Sequence, residues 1–156
     1  MREWPRYLLE EDVAGWRLFD LDDLALVSGL GWSASGGGYA KAKTGGKVVR
    51  MHQLIANCPE GMEIDHINGN GLDNRRSNLR VCEHKQNCFN QRAANKNHTR
   101  LKGVSWHKRD RVWQANIGVG GKTIYLGRFV NPADAALAYN IAAVRHFGEY
   151  ARLNNV

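Results

Sequence analysis

"EIDHINGNGLDNRRSNLRVCEHKQNCFNQ", residues 63–91, is the stretch whose reading decides the fold. Residues 60–90 around it are polar, rich in Asn and turn residues, and hold two short apolar islands, Met62-Glu63-Ile64 and Leu79-Arg80-Val81. Short apolar runs bounded by Asn, Asp, Gly and Ser predict two brief strands joined by a loop. A helix is predicted from Glu83 to about Gln91, with an acidic residue in the first turn, where the helix macrodipole favours one. Asp65 and His66 end the first island, Asn78 opens the "NLRVC" strand, and Asn87 lies inside the helix. A strand, a loop, a second strand and a crossing helix bring these four side chains to one place.

That set suits phosphodiester hydrolysis. A carboxylate and an amide oxygen are hard ligands for Mg²⁺, which keeps several waters and binds substrate phosphate. An imidazole beside the metal can take a proton from water near neutral pH. An amide across the hairpin can hold that imidazole in the needed orientation and tautomer. Simpler readings stand beside this one. An isolated Asp-His pair is most often incidental, and Asn and Gly clusters usually mean turns. An EF-hand starting at Asp65 fails, because its twelfth position is Arg76 rather than Glu. Cys82, His84 and Cys88 could be drawn as a zinc site, but no close cysteine pair supports structural zinc. His52 could support the site, with a structural role favoured.

Upstream, residues 1–50 read as a β-rich scaffold. Tyr39-Ala40-Lys41-Ala42 and Val48-Val49-Arg50-Met51 are predicted hairpin strands around Gly45-Gly46, and "VVRMHQLIA" runs from strand into a short helix. Downstream, "NQRAANKNHTRLKG" has no apolar periodicity and reads as a linker or extended arm. "GVSWHKRDRVWQANIGVGGKTIYLGRFV" gives three strands near 103–107, 112–118 and 122–127. A helix follows, with Asn131 as cap, Pro132 in its first position and Gly148 as stop. Ala133, Leu137, Ile141 and Val144 form an apolar stripe along it, and the alanines around them let it lie close to a thin sheet. Core packing is expected for Trp106, Trp113, Ile117 and Phe129.

Charge separates the halves. Residues 1–50 carry 7 basic and 7 acidic side chains, residues 51–90 carry 4 and 5, and residues 91–156 carry 11 and 3. A basic second half suggests a polyanionic partner, most often nucleic acid. Arg92, Lys96 and Arg100 could follow the minor groove as an extended arm. Replacing all three would then weaken binding and flatten its salt dependence.

The "DH" at 65–66, "NGNGLDNRRSNLR" at 68–80 and the Asn at 87, with "GGGYAKAKTGGK" and "MHQLIA" upstream, resemble an HNH endonuclease of the ββα-metal type. The resemblance covers roughly residues 20–92 and lies nearest the homing endonucleases of bacteriophages. It implies that His66 is the general base, that Asp65 and Asn87 are metal ligands, and that Asn78 positions His66. It also implies a divalent cation, Mg²⁺ with Mn²⁺ as the alternative, and products with a 5′ phosphate and a 3′ hydroxyl. One such site cuts one strand, so a monomer is expected to nick.

"KGVSW", "VWQANI", "YLGRF" and "ADAALAYNIAAVRHFGEYARLN" resemble the Apetala-two/ethylene-response-factor DNA-binding domain. In that family the sheet lies in the major groove with the helix behind it. The resemblance implies that Lys102, Ser105, His107, Asn116, Thr123 and Tyr125 face DNA from the sheet, with Arg109 and Arg111 in the first hairpin. Arg and Lys would mostly bind phosphates, and Asn116 could read a base edge.

The 156 residues suffice for one ordinary domain or two small ones. With 43% apolar and 24% charged residues, wholesale disorder is not expected. No apolar run approaches a membrane span, the first residues lack signal-peptide order, and three unclustered cysteines do not make a disulfide scaffold. The expected architecture is α+β: an N-terminal β-rich scaffold with the ββα motif, then a three-stranded antiparallel sheet packed on one helix. The expected organisation is a nuclease domain over 1–92, a basic linker over 93–101 and a DNA-binding domain over 102–156. The function expected is a site-directed, metal-dependent endonuclease on double-stranded DNA, monomeric, away from membranes, in the cytoplasm of a phage-infected bacterium. Two readings compete: a DNA-binding regulator with a silent nuclease half, and a nuclease acting on branched DNA or RNA.

Overall fold

A computed structural model describes residues 7–12, 15–34, 37–91 and 100–156. The chain divides into two compact units, Met1–Asn87 and Cys88–Val156. Both are α+β.

In the first unit, β1 (Tyr7–Asp12) and β2 (Gly15–Asp20) form an antiparallel pair. A short helix, α1 (Leu24–Val27), leads to a sheet of β3 (Ser33–Ala34), β4 (Ala40–Thr44) and β5 (Lys47–Arg50), in that order. Gly45 and Gly46 make the β4–β5 turn with φ of 55° and 75°, a conformation open to residues without a Cβ. The chain then enters α2 (Met51–Ile55). Phe19, Val27, Trp32, Ala40, Ala42, Met51 and Ile55 form the core, with Leu72 and Leu79 packed against it. The Trp32 indole N–H donates to the Val27 carbonyl at 2.9 Å, so its polar end is satisfied within that core.

The deciding stretch folds as read. β6 (Glu63–His66) pairs antiparallel with β7 (Leu79–Cys82), with Asp65 opposite Arg80 and His66 opposite Leu79. Helix α3 (His84–Asn90) follows. The long loop between the strands is anchored on β2: Leu18 N donates to Leu72 O at 3.0 Å, and Asn74 N donates to Leu18 O at 2.7 Å. Asp20 accepts from the Arg76 backbone N–H at 2.8 Å, and buried Asp23 pairs with the Arg76 guanidinium at 2.6 Å. The scaffold thus fixes a loop that has little apolar content of its own.

In the second unit, β8 (Val104–His107), β9 (Val112–Val119) and β10 (Lys122–Phe129) make an antiparallel sheet with β9 central. Helix α4 (Pro132–Phe147) packs on one face. Its ends are as expected: the Asn131 side chain accepts from Ala133 N at 2.9 Å, and Gly148 ends the helix at φ 56°.

The buried face of α4 differs from the expected stripe. Leu137, Ile141 and Val144 are 52%, 64% and 53% exposed, while Ala135, Ala136, Tyr139, Ala142, Ala143 and Phe147 are buried. Both sets recur at helical spacing, so periodicity alone ranks them by hydrophobicity and picks the larger residues. A helix seated close on a thin sheet needs small residues at the contact, and Tyr139 and Phe147 supply the volume. Trp106 also departs from expectation: it is 45% exposed and meets Trp113 edge-on at 4.9 Å rather than sitting in the core.

Gly103 shows how close the approach is. A Cβ there would lie 2.0 Å from the Tyr139 ring and 2.5 Å from Asn116 O, at φ 74°. Gly103→Ala is therefore expected to destabilise this unit by about 3 kcal/mol, combining overpacking with left-handed strain. The urea midpoint of the variant, read against wild type, checks this.

Candidate active site

His66 is 5% exposed, at the end of β6. Its ring meets His52 edge-on with centroids 4.9 Å apart and Tyr39 at 5.7 Å, while Tyr39 and His52 are 5.3 Å apart. His66 Nε2 lies 3.4 Å from Asn74 Oδ1. The Asn74 amide nitrogen donates to Leu72 O at 3.1 Å, which turns its oxygen toward the imidazole. An amide oxygen only accepts, so Nε2 carries the proton and Nδ1 carries the lone pair. Burial pushes the His66 pKa below its usual value, against opposing contributions from the Asn74 hydrogen bond and from Asp65 and Asp73. The ring is neutral at pH 7, the form a general base needs.

Asn78 does not hold the imidazole directly. Its Oδ1 accepts from Asn68 N at 3.0 Å, and its Nδ2 donates to Asp73 O at 2.7 Å and Asn68 Oδ1 at 3.1 Å. It fastens the two ends of the loop that carries Asn74, whose side chain makes the direct contact with His66. Asn74 is fully buried, and its "DNRRSN" setting reads as an ordinary turn in sequence. Asp73 in turn holds the Arg75 guanidinium at 2.7 Å and the Asn68 amide at 2.8 Å, and Arg75 keeps its carboxyl below the usual range.

Asp65, 5% exposed, meets Arg80 across the strand pair: Oδ2 accepts from Nη2 at 2.6 Å and from Nε at 2.9 Å. Asn87, on α3, donates its Nδ2 to Glu63 Oε2 at 2.6 Å. Glu63 and Asp65 are two residues apart on β6 and so project to one face of the strand, with Arg80 opposite Asp65. The other Glu63 oxygen accepts from His84 Nδ1 at 2.8 Å. The hydrogen bonds from Asn87 and His84 hold the Glu63 carboxyl below its usual pKa. Asp65 and Asn87 offer one carboxylate and one amide oxygen, a hard and sparse donor set that fits a divalent cation retaining waters. Cys82 is buried and its thiol is pushed up by burial.

On the second unit, strand pairing puts the expected sheet residues on one face, away from α4. Asn116 pairs with Tyr125, Thr123 with Gly118, Ser105 with Gln114, and His107 with Val112. Arg109 and Arg111 lie exposed in the β8–β9 turn, Arg111 at φ 54°. Gln114 and Arg128 join this face, and the sequence reading missed both. Strict alternation from Tyr125 would send Arg128 toward the helix, but a bulge between Tyr125 and Gly127 shifts the register and pairs Arg128 with Gln114. The Arg128 guanidinium is paired with Asp110.

Lys102 is a correction. Its Nζ donates to Phe89 O at 2.6 Å and Gln91 O at 2.7 Å, and burial lowers its pKa to about 8. It satisfies carbonyls at the end of α3 rather than facing a ligand from the sheet. Its own backbone is tied down by Asn154, which accepts from Lys102 N at 2.6 Å and is locked in turn to Asn140. Of the proposed arm, Arg92 and Lys96 lie outside the described residues, and Arg100 is exposed at φ 56°. No described helix is long and apolar enough to cross a membrane.

Comparison with known proteins agrees with this geometry. Residues 56–88, which span β6, β7 and most of α3, match the HNH endonuclease family. The chain is 29% identical over 142 residues to an uncharacterized HNH endonuclease of Acanthamoeba polyphaga mimivirus, covering 87% of this chain and 73% of that protein. It is 39% identical over 64 residues to Protein 3.8 of Escherichia phage T7, spanning 41% of this chain and about half of that protein, 53%. An AP2-like ethylene-responsive transcription factor of Arabidopsis thaliana is 40% identical over 60 residues, 37% of this chain and 16% of that protein, a partial likeness that supports the C-terminal reading. HNH nucleases generally use a divalent metal ion. With the ββα geometry and these relatives together, residues 56–88 match the HNH endonuclease family and the chain is similar along most of its length to a viral HNH endonuclease.

Proposed function

We propose that the protein is a site-directed DNA endonuclease of the strand-nicking, homing type, with chemistry in the first unit and target selection in the second. The observation that carries the chemistry is His66: a buried, neutral imidazole with a defined tautomer, beside Asp65 on the strand that ends there. His66 Nδ1 takes a proton from water as its oxygen attacks phosphorus. Asn74 holds the ring through Nε2, and Asn78 holds the loop. Asp65 and Asn87 would hold the cation, Mg²⁺ or Mn²⁺. A cation there offsets negative charge on the phosphate and on the departing 3′ oxygen. The products are a 5′ phosphate and a 3′ hydroxyl.

The sheet face with Ser105, His107, Gln114, Asn116, Thr123, Tyr125 and Arg128 suits double-stranded DNA, because a small sheet can enter the major groove. A catalytic hairpin alone has too little surface to select a long site. The basic character of residues 91–156, with 11 basic and 3 acidic side chains, favours a polyanion there.

The test is a time course on supercoiled plasmid carrying sequence that flanks the gene, with Mg²⁺ and with chelator. Open circles that accumulate only with metal, with one mapped end position on one strand, are expected. Tight binding without cleavage in either condition would mark a DNA-binding protein with a silent nuclease fold. Cleavage of branched DNA or RNA but not duplex would reassign the substrate.

A further inference from the structure

The amide oxygen that Asn87 offers to a cation is one half of a group whose other half is already held. Asn87 Nδ2 donates to Glu63 Oε2 at 2.6 Å, and Asn87 Oδ1 has no hydrogen-bond partner among the described residues. A carboxamide is nearly symmetric in shape, so nothing but its hydrogen bonds decides whether oxygen or nitrogen faces a given direction. A nitrogen turned toward a cation would repel it. Glu63 is no ligand in this arrangement, since Oε1 accepts from His84 Nδ1 at 2.8 Å and Oε2 accepts from Asn87. Its position on β6, two residues from Asp65 on the same strand face, brings the Asn87 amide to the side of the strand where Asp65 meets Arg80.

We propose that Glu63 is a positioning residue: it anchors the Asn87 amide nitrogen so that Oδ1 faces the cation, and His84 fixes the plane of the Glu63 carboxylate. Neither Glu63 nor His84 touches the substrate. This rests on the reading of Asp65 and Asn87 as ligands. Groups that orient metal ligands typically cost about 10–100-fold in metal affinity when removed.

The test is Mn²⁺ binding to the full chain without DNA, followed by titration calorimetry and by the paramagnetic signal of free Mn²⁺. Glu63→Ala is expected to weaken Mn²⁺ binding by about 10–100-fold. Glu63→Gln keeps an acceptor oxygen for the Asn87 amide and is expected to bind Mn²⁺ nearly as wild type does. In an Asn87→Asp background, which has no amide nitrogen to orient, Glu63→Ala is expected to cost nothing. Wild-type affinity in Glu63→Ala overturns the proposal, as does an equal loss in Glu63→Gln or an undiminished loss in the Asn87→Asp background. Asn87→Ala and Asp65→Ala separate the two failures. If they weaken Mn²⁺ binding while Glu63→Ala does not, only the role of Glu63 falls; if none of the three does, the ligand assignment falls with it.

A measurement on the wild type does not depend on variants folding. The Asn87 side-chain NH₂ is expected to show one proton shifted downfield by the carboxylate, and Mg²⁺ is expected to move the Asn87 carboxamide ¹³C while that proton stays. An ordinary NH₂ pair, or one released when Mg²⁺ binds, overturns the proposal.

Discussion

His66→Ala is expected to lower the rate of strand cleavage by about 10²–10⁴-fold, the range that a positioned general base contributes. Affinity for the intact duplex is expected to stay at the wild-type level, because the imidazole is buried in a ring cluster with Tyr39 and His52 and, in the proposed mechanism, would act on the attacking water rather than on the DNA. Single-turnover cleavage, measured beside a binding isotherm on the same DNA, separates the two effects. A variant that still cuts at the wild-type rate would remove His66 from the mechanism. A variant that loses binding and cleavage together would show that the ring cluster is needed for the fold.

The second large effect is on stability in acid. His52 is 5% exposed, and its pKa is lowered to about 4, first by burial and then by the nearby His66 and Arg50. Its Nδ1 is buried without a hydrogen-bond partner among the described residues. An imidazolium must donate from both nitrogens, and here one has no acceptor, so the charged form is disfavoured. Between pH 6.5 and about 4 the unfolded chain binds a proton at His52 that the folded chain does not. Stability therefore falls as pH drops through that window and is fully present above it. The difference of about 2.5 units corresponds to about 3 kcal/mol. Hydrogen exchange of the β6 and β7 amides at pH 7 and near pH 4.5 reads this directly. His52→Gln is expected to flatten the acid loss, leaving the part due to His66 and the carboxylates. An acid loss as steep in His52→Gln as in wild type would show that His52 does not drive it.

The ββα unit was legible because each of its parts is a local signal. Turn residues between apolar islands mark the hairpin at 63–82, and an acidic residue before a polar run marks the start of α3. The strands and helix of the second unit were legible for the same reason, and Asn131, Pro132 and Gly148 each act within a few residues of themselves. Face and partner were less legible. Asn78 and Asn74 are chemically alike and four positions apart in one loop, and the tertiary anchoring of that loop on Leu18, with the Asn74–Leu72 hydrogen bond, sets which of them meets His66. Lys102 carries the charge expected of a DNA contact, yet the carbonyls of Phe89 and Gln91 claim it.

The sequence by itself thus determined the α+β class, the hairpin and helix that hold Asp65, His66 and Asn87, and the basic sheet-plus-helix unit that follows. Turn preference, periodicity and capping act over a few residues and can be read in one dimension. Only the tertiary structure decided that α4 buries its alanines instead of Leu137, Ile141 and Val144, that a bulge brings Arg128 beside Gln114, and that Glu63 holds Asn87. Each of these depends on how closely two elements distant in sequence approach, and close approach selects for size, register and hydrogen-bond direction, which hydrophobic pattern does not encode.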